Sequence, residues 1–261
     1  AYTSDFKRLS TAYAWDMLIP VRPEPGYLRQ TFQTWPNDMS KGWPSWAFSN
    51  HDAPRIASRW TEAGFDADWA KLFGLLLMSL RGNIFIYQGE ELGLPQSDVP
   101  FEKLQDPEGI TNWPETLGRD GCRTPMPWAH DLPNAGFSTA AGPWLPADPV
   151  QAAMAVDLQQ NDPESNLNYF RELIRIRKDS PALKYGDFNL LDAAEDLLAF
   201  TRSTPGETVY AVFNLSNETV KWQSADAAML FIMASAGFDS KIDQVPNSLP
   251  AFSGYVARTF R

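Results

Sequence analysis

One segment constrains the fold of this chain more than any other. From residue 69 to residue 80, apolar side chains recur every three or four positions, the spacing of one buried face of an α-helix. Short apolar runs at 46–50 and 84–87 stand on either side of this helix. Strand, helix and strand at this spacing predict parallel strands that are joined by crossover helices. Gly82, just past the helix, predicts a left-handed C-terminal cap.

The predicted strands share one feature at their C-terminal ends, which is a change to polar residues. A third apolar run at 13–16 ends in Asp16, and the two other runs open onto His51 and Asp52 and onto residues 88–91. Enzymes with (β/α) barrels carry their active sites at the C-terminal ends of the strands. We therefore expect the functional residues of this chain at that edge of the sheet.

Three further segments complete the first part of the chain. A short helical pattern covers 27–34. Residues 93–150 are rich in Pro, Gly, Trp and Asp, and connections of this length within compact domains are usually lids or binding loops. Asp162 and Pro163 predict the start of a helix, because an acceptor at the cap and Pro at the first helical position are typical there. Pro181 then predicts its end.

The pattern changes after residue 185. Apolar runs at 197–200 and 209–213 flank a turn cluster at 204–207, which predicts a β-hairpin. Shorter apolar runs predict further strands at 220–222, 229–232 and 255–258. We expect a separate small antiparallel β-domain.

Composition argues against several classes of protein. The net charge of −10 disfavours a nucleic-acid partner, which would need a basic face. The most apolar stretch, 72–80, is far shorter than the roughly 20 residues that cross a bilayer. Cys122 is the only cysteine and there are two histidines, so we expect no disulfide, no metal and no cofactor, in a reducing, cytoplasmic compartment. The start at Ala1, without Met or a signal peptide, indicates a cut chain.

The sequence at 48–52, Phe-Ser-Asn-His-Asp, is the sharpest functional signal. By itself a His-Asp pair after a strand often only caps the next loop, but the C-terminal end of a barrel strand favours a functional role. Together with 53–55, 87–93, 118–128 and 180–187, it is similar to the α-amylase family of glycoside hydrolases (glycoside hydrolase family 13), most closely to its α-glucosidase and oligo-1,6-glucosidase branch. The resemblance covers nearly all of the chain.

The resemblance implies an α/β fold, namely the C-terminal part of a (β/α)8 TIM barrel followed by a small antiparallel β-sandwich-like domain. The three apolar runs before residue 90 would be barrel strands six, seven and eight. The barrel part would cover 1–184, with the loop at about 93–150 after strand eight, and the β-domain would cover 185–261.

The family uses three carboxylates, and the resemblance gives only the third a counterpart in this chain. It implies that Asp52 is the transition-state stabiliser, that His51 donates to the same sugar, and that Arg119 helps to hold the 4-hydroxyl of the terminal glucose. Arg123 is the other candidate for that arginine, and pairing with loop carboxylates is the alternative role. The sequence has no Gly-x-Arg-x-Asp nucleophile motif and no counterpart of the strand-five glutamate. We therefore expect the isolated chain to be inactive.

The resemblance implies that the parent protein is a retaining α-glucosidase that removes terminal α-linked glucose from short oligosaccharides. Glucosyl transfer or isomerisation, as in trehalose synthase, sucrose isomerase or sucrose phosphorylase, is the alternative among enzymes. A non-catalytic barrel relative that stabilises a partner is the alternative outside them, and the intact Asp52 motif argues against it. The expected partner is an α-glucoside oligosaccharide, with no nucleic acid and no membrane. The chain is also expected to self-associate or to need the missing half of the barrel.

A few other residues invite a functional interpretation. Glu90 and Glu91 are adjacent on a segment predicted to be extended, so their side chains would point to opposite sides and we expect a structural role. We expect His130 at the surface and Cys122 as a small packed thiol. The tryptophans of the long loop either stack on sugars or anchor the loop; they are Trp113, Trp128 and Trp144.

Overall fold

The computed structural model describes residues 3, 7–35, 37–38, 42–62, 68–116, 118–223, 229–235, 238 and 244–260 of the 261-residue chain. Most of the first six residues, including Ala1, lie outside the described part of the chain. Within them the strands form a three-stranded, a five-stranded and a two-stranded sheet. Among the helices described, none combines the length and the apolar character that a membrane crossing requires.

The three-stranded sheet is parallel, as the sequence predicts. Its strands lie in the order β1 (Thr11–Ala14), β2 (Trp43–Ala47) and β3 (Asn83–Phe85), with Ala12 opposite Pro44 and Trp46 opposite Ile84. Each strand starts one to three residues before the start of the predicted apolar run. It ends two or three residues before the end of that run. The apolar runs continue past the hydrogen-bonded ladder because burial continues there, as at Phe48, which is fully buried beyond the end of β2.

In the described residues, one α-helix lies between β1 and β2, and two α-helices lie between β2 and β3. They are α1 (Pro25–Gln33), α2 (Ile56–Arg59) and α3 (Trp69–Ser79). The helix predicted over 69–80 is therefore confirmed, with Asp68 as its N-cap accepting from the Lys71 amide. All of its residues except Lys71 are buried, which exceeds the single buried face that the periodicity predicts.

The predicted left-handed cap at Gly82 is wrong. Helix α3 ends at Ser79, and the residue after it, Leu80, has an extended backbone. Gly82 has φ +130° and lies against β2, where a Cβ atom would come within 2.5 Å of the Pro44 carbonyl oxygen. The glycine therefore permits the close approach of the segment before β3 to its neighbouring strand rather than capping the helix.

The predicted start of the next long helix is also wrong. Helix α7 (Asn166–Asp179) begins after Ser165, whose hydroxyl accepts from the Asn168 amide at 3.2 Å. The Asp162 side chain instead accepts from the amide of Glu164 within the preceding turn. Ser165 thus supplies the capping oxygen of α7, three residues after the predicted cap, while Asp162 closes the turn before the helix.

Among the described residues between β3 and α7, the regular structure consists of short helices. These helices are α4 (Pro107–Thr111), α5 (Pro149–Ala152), α6 (Val156–Gln159) and 3₁₀ turns at Glu90–Leu92, Phe101–Lys103, Asp120–Cys122 and Pro133–Gly136. Pro181 does not simply follow a helix, because it begins α8 (Pro181–Tyr185), which Ser180 caps by accepting from the Leu183 amide.

The last part of the chain forms antiparallel sheets. The predicted hairpin is confirmed as the central pair of the five-stranded sheet, with Phe200 opposite Ala211. In spatial order this sheet contains β4 (Asp187–Leu190), β5 (Leu197–Thr204), β6 (Glu207–Asn214), β10 (Ser253–Phe260) and β8 (Leu230–Ala234). The small sheet pairs β7 (Val220–Lys221) with β9 (Ser248–Leu249). Strands β4 and β9 are not predicted by the sequence pattern.

The two faces of the five-stranded sheet are buried against different partners. One face, including Phe200 and Phe213, joins the large core that also contains α3 and α7. The other face, including Val212, packs with Leu249 of the small sheet and with Trp222, which follows β7. The sandwich-like form of the β-domain and the boundary at residue 184 therefore stay predictions, and one face of the sheet shares its core with the helices of the first part of the chain.

Candidate active site

The Asn-His-Asp segment forms a tight turn just beyond the C-terminal end of β2. The Asn50 side-chain oxygen accepts from the Asp52 amide at 2.8 Å and from the Ala53 amide at 2.9 Å. This side chain closes the turn by satisfying two backbone donors. His51 and Asp52 are consequently presented to solvent, with the His51 Nε2 atom 3.3 Å from Asp52 Oδ2.

Two arginines of the long loop converge on Asp52. Arg123 Nη2 lies 3.0 Å and Arg119 Nη1 lies 3.3 Å from the same carboxylate oxygen, Oδ1. Arg123 also donates through Nε to the His51 carbonyl oxygen at 2.8 Å. The structure thus brings the three predicted site residues together, and it adds Arg123 to them.

Arg119 also grips a second carboxylate, Asp106, that sequence reasoning missed. Its Nε lies 2.9 Å from Asp106 Oδ2 and its Nη2 lies 2.6 Å from Oδ1. The Asp106 side chain is fully buried, and the hydrogen bonds from Arg119 hold the pKa of that carboxyl far below its usual range. The Asp-Pro pair at Asp106 and Pro107, a helix-start signal, could have pointed to this residue.

Arg119 therefore pairs with loop carboxylates, which was the predicted alternative to a contact with the sugar. Besides Asp106, the exposed carboxylate of Glu108 lies 3.8 Å from Arg119 Nε. The same guanidinium still reaches Asp52 through Nη1. One arginine can serve both purposes because its planar fork offers five donors in fixed directions.

Arg55, buried beneath the turn, ties the loop to the strand ends. Its guanidinium donates to the carbonyl oxygens of Gln88 and Cys122, each at 3.2 Å. The Tyr87 hydroxyl donates to the same Cys122 carbonyl at 2.8 Å. Because Cys122 directly precedes Arg123, these bonds fix the backbone that carries an arginine to Asp52. Burial lowers the pKa of the Arg55 guanidinium.

Glu90 and Glu91 bind backbone amides of their own turn. The segment predicted to be extended is a 3₁₀ helix that follows Gly89, whose φ is +90°, so the argument from opposite sides was wrong. Glu90 accepts from the Tyr87 amide and Glu91 from the Gly89 amide, both at 2.8 Å. Burial raises the pKa of Glu90 to about 7, against the opposing effect of a hydrogen bond from Ser49.

The remaining predictions concern the long loop. Cys122 is fully buried, as predicted, and the His130 side chain is exposed and lies 3.0 Å from Asp157. Trp128 and Trp144 are more than half exposed, so their packing against the described residues does not support a role in anchoring the loop. In the part of the chain that the structure describes, one cluster of side chains could hold a cation. It consists of His130, Asp131 and Asp157, whose ligand atoms lie within 4.8 Å of one another. Its Asp157 carboxylate already accepts from the His130 amide.

Comparison with known proteins identifies the family. The family model described as "Alpha amylase, catalytic domain" matches residues 3–186. The chain belongs to the α-amylase family. The fold of this family is a TIM barrel with a C-terminal β-domain, and the described residues contain both a parallel sheet with helices and an antiparallel sheet.

The relatives of this α-amylase family chain include glucosidases and a transfer enzyme. A probable alpha-glucosidase of Rhizobium meliloti (strain 1021) is 41% identical over 98% of this chain and 46% of its own length. An oligo-1,6-glucosidase of Parageobacillus thermoglucosidasius is 32% identical over 76% of this chain and 39% of its own length. The solved structure of XgtA, an alpha-glucosyl transfer enzyme, has a TM-score of 0.86 and 39% identity, and it covers 98% of this chain and 47% of XgtA. The chain thus spans about half the length of the relatives that it matches.

Proposed function

We propose that the protein containing this chain is a retaining α-glucosidase that acts on short α-linked oligosaccharides. In this proposal β1, β2 and β3 are barrel strands six, seven and eight, and Asp52 is the transition-state stabiliser. The observation that carries it is the Asp52 carboxylate at the end of the middle parallel strand, held by two arginines and next to His51. The similarity to glucosidases supports the reaction class.

The chemistry explains the role that is given to Asp52. Retaining glycosidases need a nucleophile and an acid/base about 5–5.5 Å apart. In the described part of the chain, Asp106 shares Arg119 with Asp52, and its carboxylate is buried and accepts two hydrogen bonds from the Arg119 side chain. Asp106 is unsuited to either role, so the proposal assigns both to barrel strands outside this chain.

Asp52 and its neighbours would then act on charge and position. The sugar ring acquires positive charge in the oxocarbenium-like transition state, and a carboxylate fixed before the reaction stabilises that charge without reorganisation. Arg119 and Arg123 hold the Asp52 carboxylate from one side. In the proposal, His51 donates to the same glucose and Arg119 to its terminal 4-hydroxyl, which restricts cleavage to the non-reducing end.

Glucosyl transfer is the second candidate, because the similar XgtA is an alpha-glucosyl transfer enzyme. Both reactions share the glycosyl-enzyme step and differ in the acceptor that resolves it, water or a sugar hydroxyl. The ratio of free glucose to transfer product from a disaccharide would separate the two. The proposal further places the protein in a reducing compartment, which the single cysteine supports.

The test uses an intact enzyme. The part of the Rhizobium meliloti relative that this chain does not match is joined to this chain, and release of p-nitrophenol from the α-glucoside is measured. We expect activity that falls by at least about a hundredfold in Asp52→Asn, as expected for loss of a group that acts in the transition state. Asp131→Asn, an exposed aspartate of the same loop, is the matched control. Release of β-glucose first, or an unaffected Asp52→Asn variant, would contradict the proposal.

A further inference from the structure

Asp106 is a buried carboxylate that accepts hydrogen bonds from Arg119 of the proposed site and from the Glu108 amide of its own turn. It accepts from the Arg119 amide at 2.7 Å, from Arg119 Nε and Nη2, and from the Glu108 amide at 3.3 Å. Four donors on two oxygens satisfy a buried carboxylate, which would otherwise be costly to bury. The group is thus held to one residue, Arg119, by three of its four bonds.

These bonds divide the Arg119 guanidinium into two edges. Nε and Nη2 form the edge that binds both oxygens of Asp106, while Nη1 lies 3.3 Å from Asp52 Oδ1. Because the guanidinium is planar and rigid, fixing one edge also fixes the direction of the remaining donors. The bidentate contact with Asp106 therefore decides where Nη1 points.

Asp106 is itself fixed by the loop around it. The amides of Gln105 and Asp106 both donate to Oδ2 of the fully buried Asp120, at 2.6 Å and 2.8 Å. Gly118 has φ +63°, and a Cβ atom there would come within 2.9 Å of Asp106 Oδ2. The glycine thus permits the turn that brings the Arg119 amide onto the carboxylate.

We propose that Asp106 is a positioning residue of the sugar-binding site, acting through Arg119. Asp106 occupies the guanidinium edge formed by Nε and Nη2. The N–H groups of Arg119 that remain can therefore donate to the sugar only singly, which suits neutral hydroxyl groups. The two carboxylates, Asp52 and Asp106, also balance the two guanidinium groups of Arg119 and Arg123. The site therefore suits neutral α-glucosides better than phosphorylated sugars, which require uncompensated positive charge. This inference rests on the proposed function.

The experiment compares two carboxylates that face the same arginine in the intact chimeric enzyme. Asp106→Asn removes the bidentate acceptor, whereas Glu108→Gln changes the exposed carboxylate 3.8 Å from Arg119 Nε. We expect kcat/KM for maltose to fall by about ten- to a hundredfold in Asp106→Asn and by less than about twofold in Glu108→Gln. Equal effects of the two variants, or an unchanged Asp106→Asn variant, would overturn the proposal.

A double-mutant comparison separates positioning from general damage. If Asp106 acts through Arg119, adding Asp106→Asn to an Arg119→Gln enzyme should change kcat/KM by less than about twofold, because the positioned group is already gone. Independent effects that multiply would overturn the proposal. Asp106→Glu keeps the charge but displaces the carboxylate, and it serves if the asparagine variant does not fold. It should also lower kcat/KM in an enzyme whose thermal unfolding stays cooperative.

A measurement on the 261-residue chain keeps this test distinct from that of the proposed function. The Nε–H proton of Arg119 should exchange slowly with solvent by NMR, and should exchange quickly in Asp106→Asn but not in Glu108→Gln. Fast exchange in the unaltered chain would overturn the positioning role. An inactive chimera with a protected Arg119 proton would instead overturn the proposed function, and with it the role of Asp106 in sugar binding.

Discussion

Glu90 links the stability of this chain to pH. The folded chain has a Glu90 pKa of about 7 because the carboxyl group is buried, whereas the ordinary value is 4.5. Between these two pH values the folded chain binds a proton that the unfolded chain has released. The free energy of unfolding therefore falls as the pH rises from about 4.5 to about 7, by roughly 3 kcal/mol from this group.

Replacing Glu90 by Gln should remove this dependence. The amide stays neutral at every pH, so the variant should gain stability relative to the unaltered chain as the pH rises from about 4.5 to about 7. Urea unfolding at pH 4.5, 6 and 8 measures the difference, with Glu102→Gln on the exposed part of the loop as control. A difference in unfolding free energy that is constant across this range would show that Glu90 has an ordinary pKa.

Arg119→Lys tests the sugar-binding role at the same scale. A lysine ammonium cannot hold Asp106 with a fork and still donate toward Asp52, so kcat/KM for disaccharides should fall at least about tenfold in the intact enzyme. The Tm should fall as well, because the buried Asp106 carboxylate loses part of its partner. Arg123→Lys is the companion variant. Loss of activity in Arg123→Lys alone would assign the 4-hydroxyl contact to Arg123.

The sequence predicted the residues of this site that stand in a recognisable motif and missed those that act through the backbone. His51 and Asp52 directly follow the apolar run at 46–50, so their position could be inferred from the local pattern. Arg55 instead binds carbonyl oxygens, which every residue possesses and no side-chain pattern reveals. Asp106 meets Arg119 only because the loop between them turns at Gly118, and that turn is a property of the folded loop.

At the scale of elements, periodicity located helices and strands but not the contacts that end them. Helix α3 was predicted within one residue because ten of its eleven residues are buried. The strands of the parallel sheet were placed too late along the chain, since apolar side chains remain buried after the ladder ends. Helix α7 starts at Asn166 with Ser165 as its cap, because the equally plausible Asp162 accepts from the Glu164 amide in the preceding turn.

The packing of α3 on α7 gives an element-scale prediction. A Cβ atom at Gly74 would lie 2.7 Å from the Phe170 ring, and that ring is fully buried. Gly74→Ala gains about 1 kcal/mol of helix propensity but overpacks the core at a cost of about 1–3 kcal/mol. We expect net destabilisation by about 1 kcal/mol, measured by urea unfolding.

Gly26 in α1 is the matched control for this substitution. Nothing lies within 4 Å of a Cβ atom at Gly26, so Gly26→Ala should stabilise the chain by up to about 1 kcal/mol. A loss of stability in Gly74→Ala together with a gain in Gly26→Ala would show that the close approach of α3 and α7 decides the effect of the added methyl group. Stabilisation by both substitutions would contradict the packing of Phe170 on Gly74.

At the scale of the whole molecule, the parallel sheet has two free edges within the described residues. Strand β1 and strand β3 each pair with β2 alone. Beside β3, a groove of about 750 Å³ runs between the sheet and the helices α7 and α8. Its lining combines apolar residues, among them Trp43, Ile84 and Ile174, with basic side chains of the two helices. Open strand edges and exposed apolar grooves promote association with other chains.

We therefore expect the isolated 261-residue chain to self-associate and to release no glucose from maltose or p-nitrophenyl α-glucoside above the uncatalysed rate. Light scattering should show a species larger than a monomer at micromolar concentration. Phe85→Glu, which places a charge on the half-exposed edge of β3, should shift it toward the monomer, because charged edge residues oppose strand pairing. Phe260→Glu, equally exposed on β10, is the control and should not. A monomer that unfolds cooperatively would contradict the expected association. Turnover that Asp52→Asn abolishes would show that this chain is active by itself.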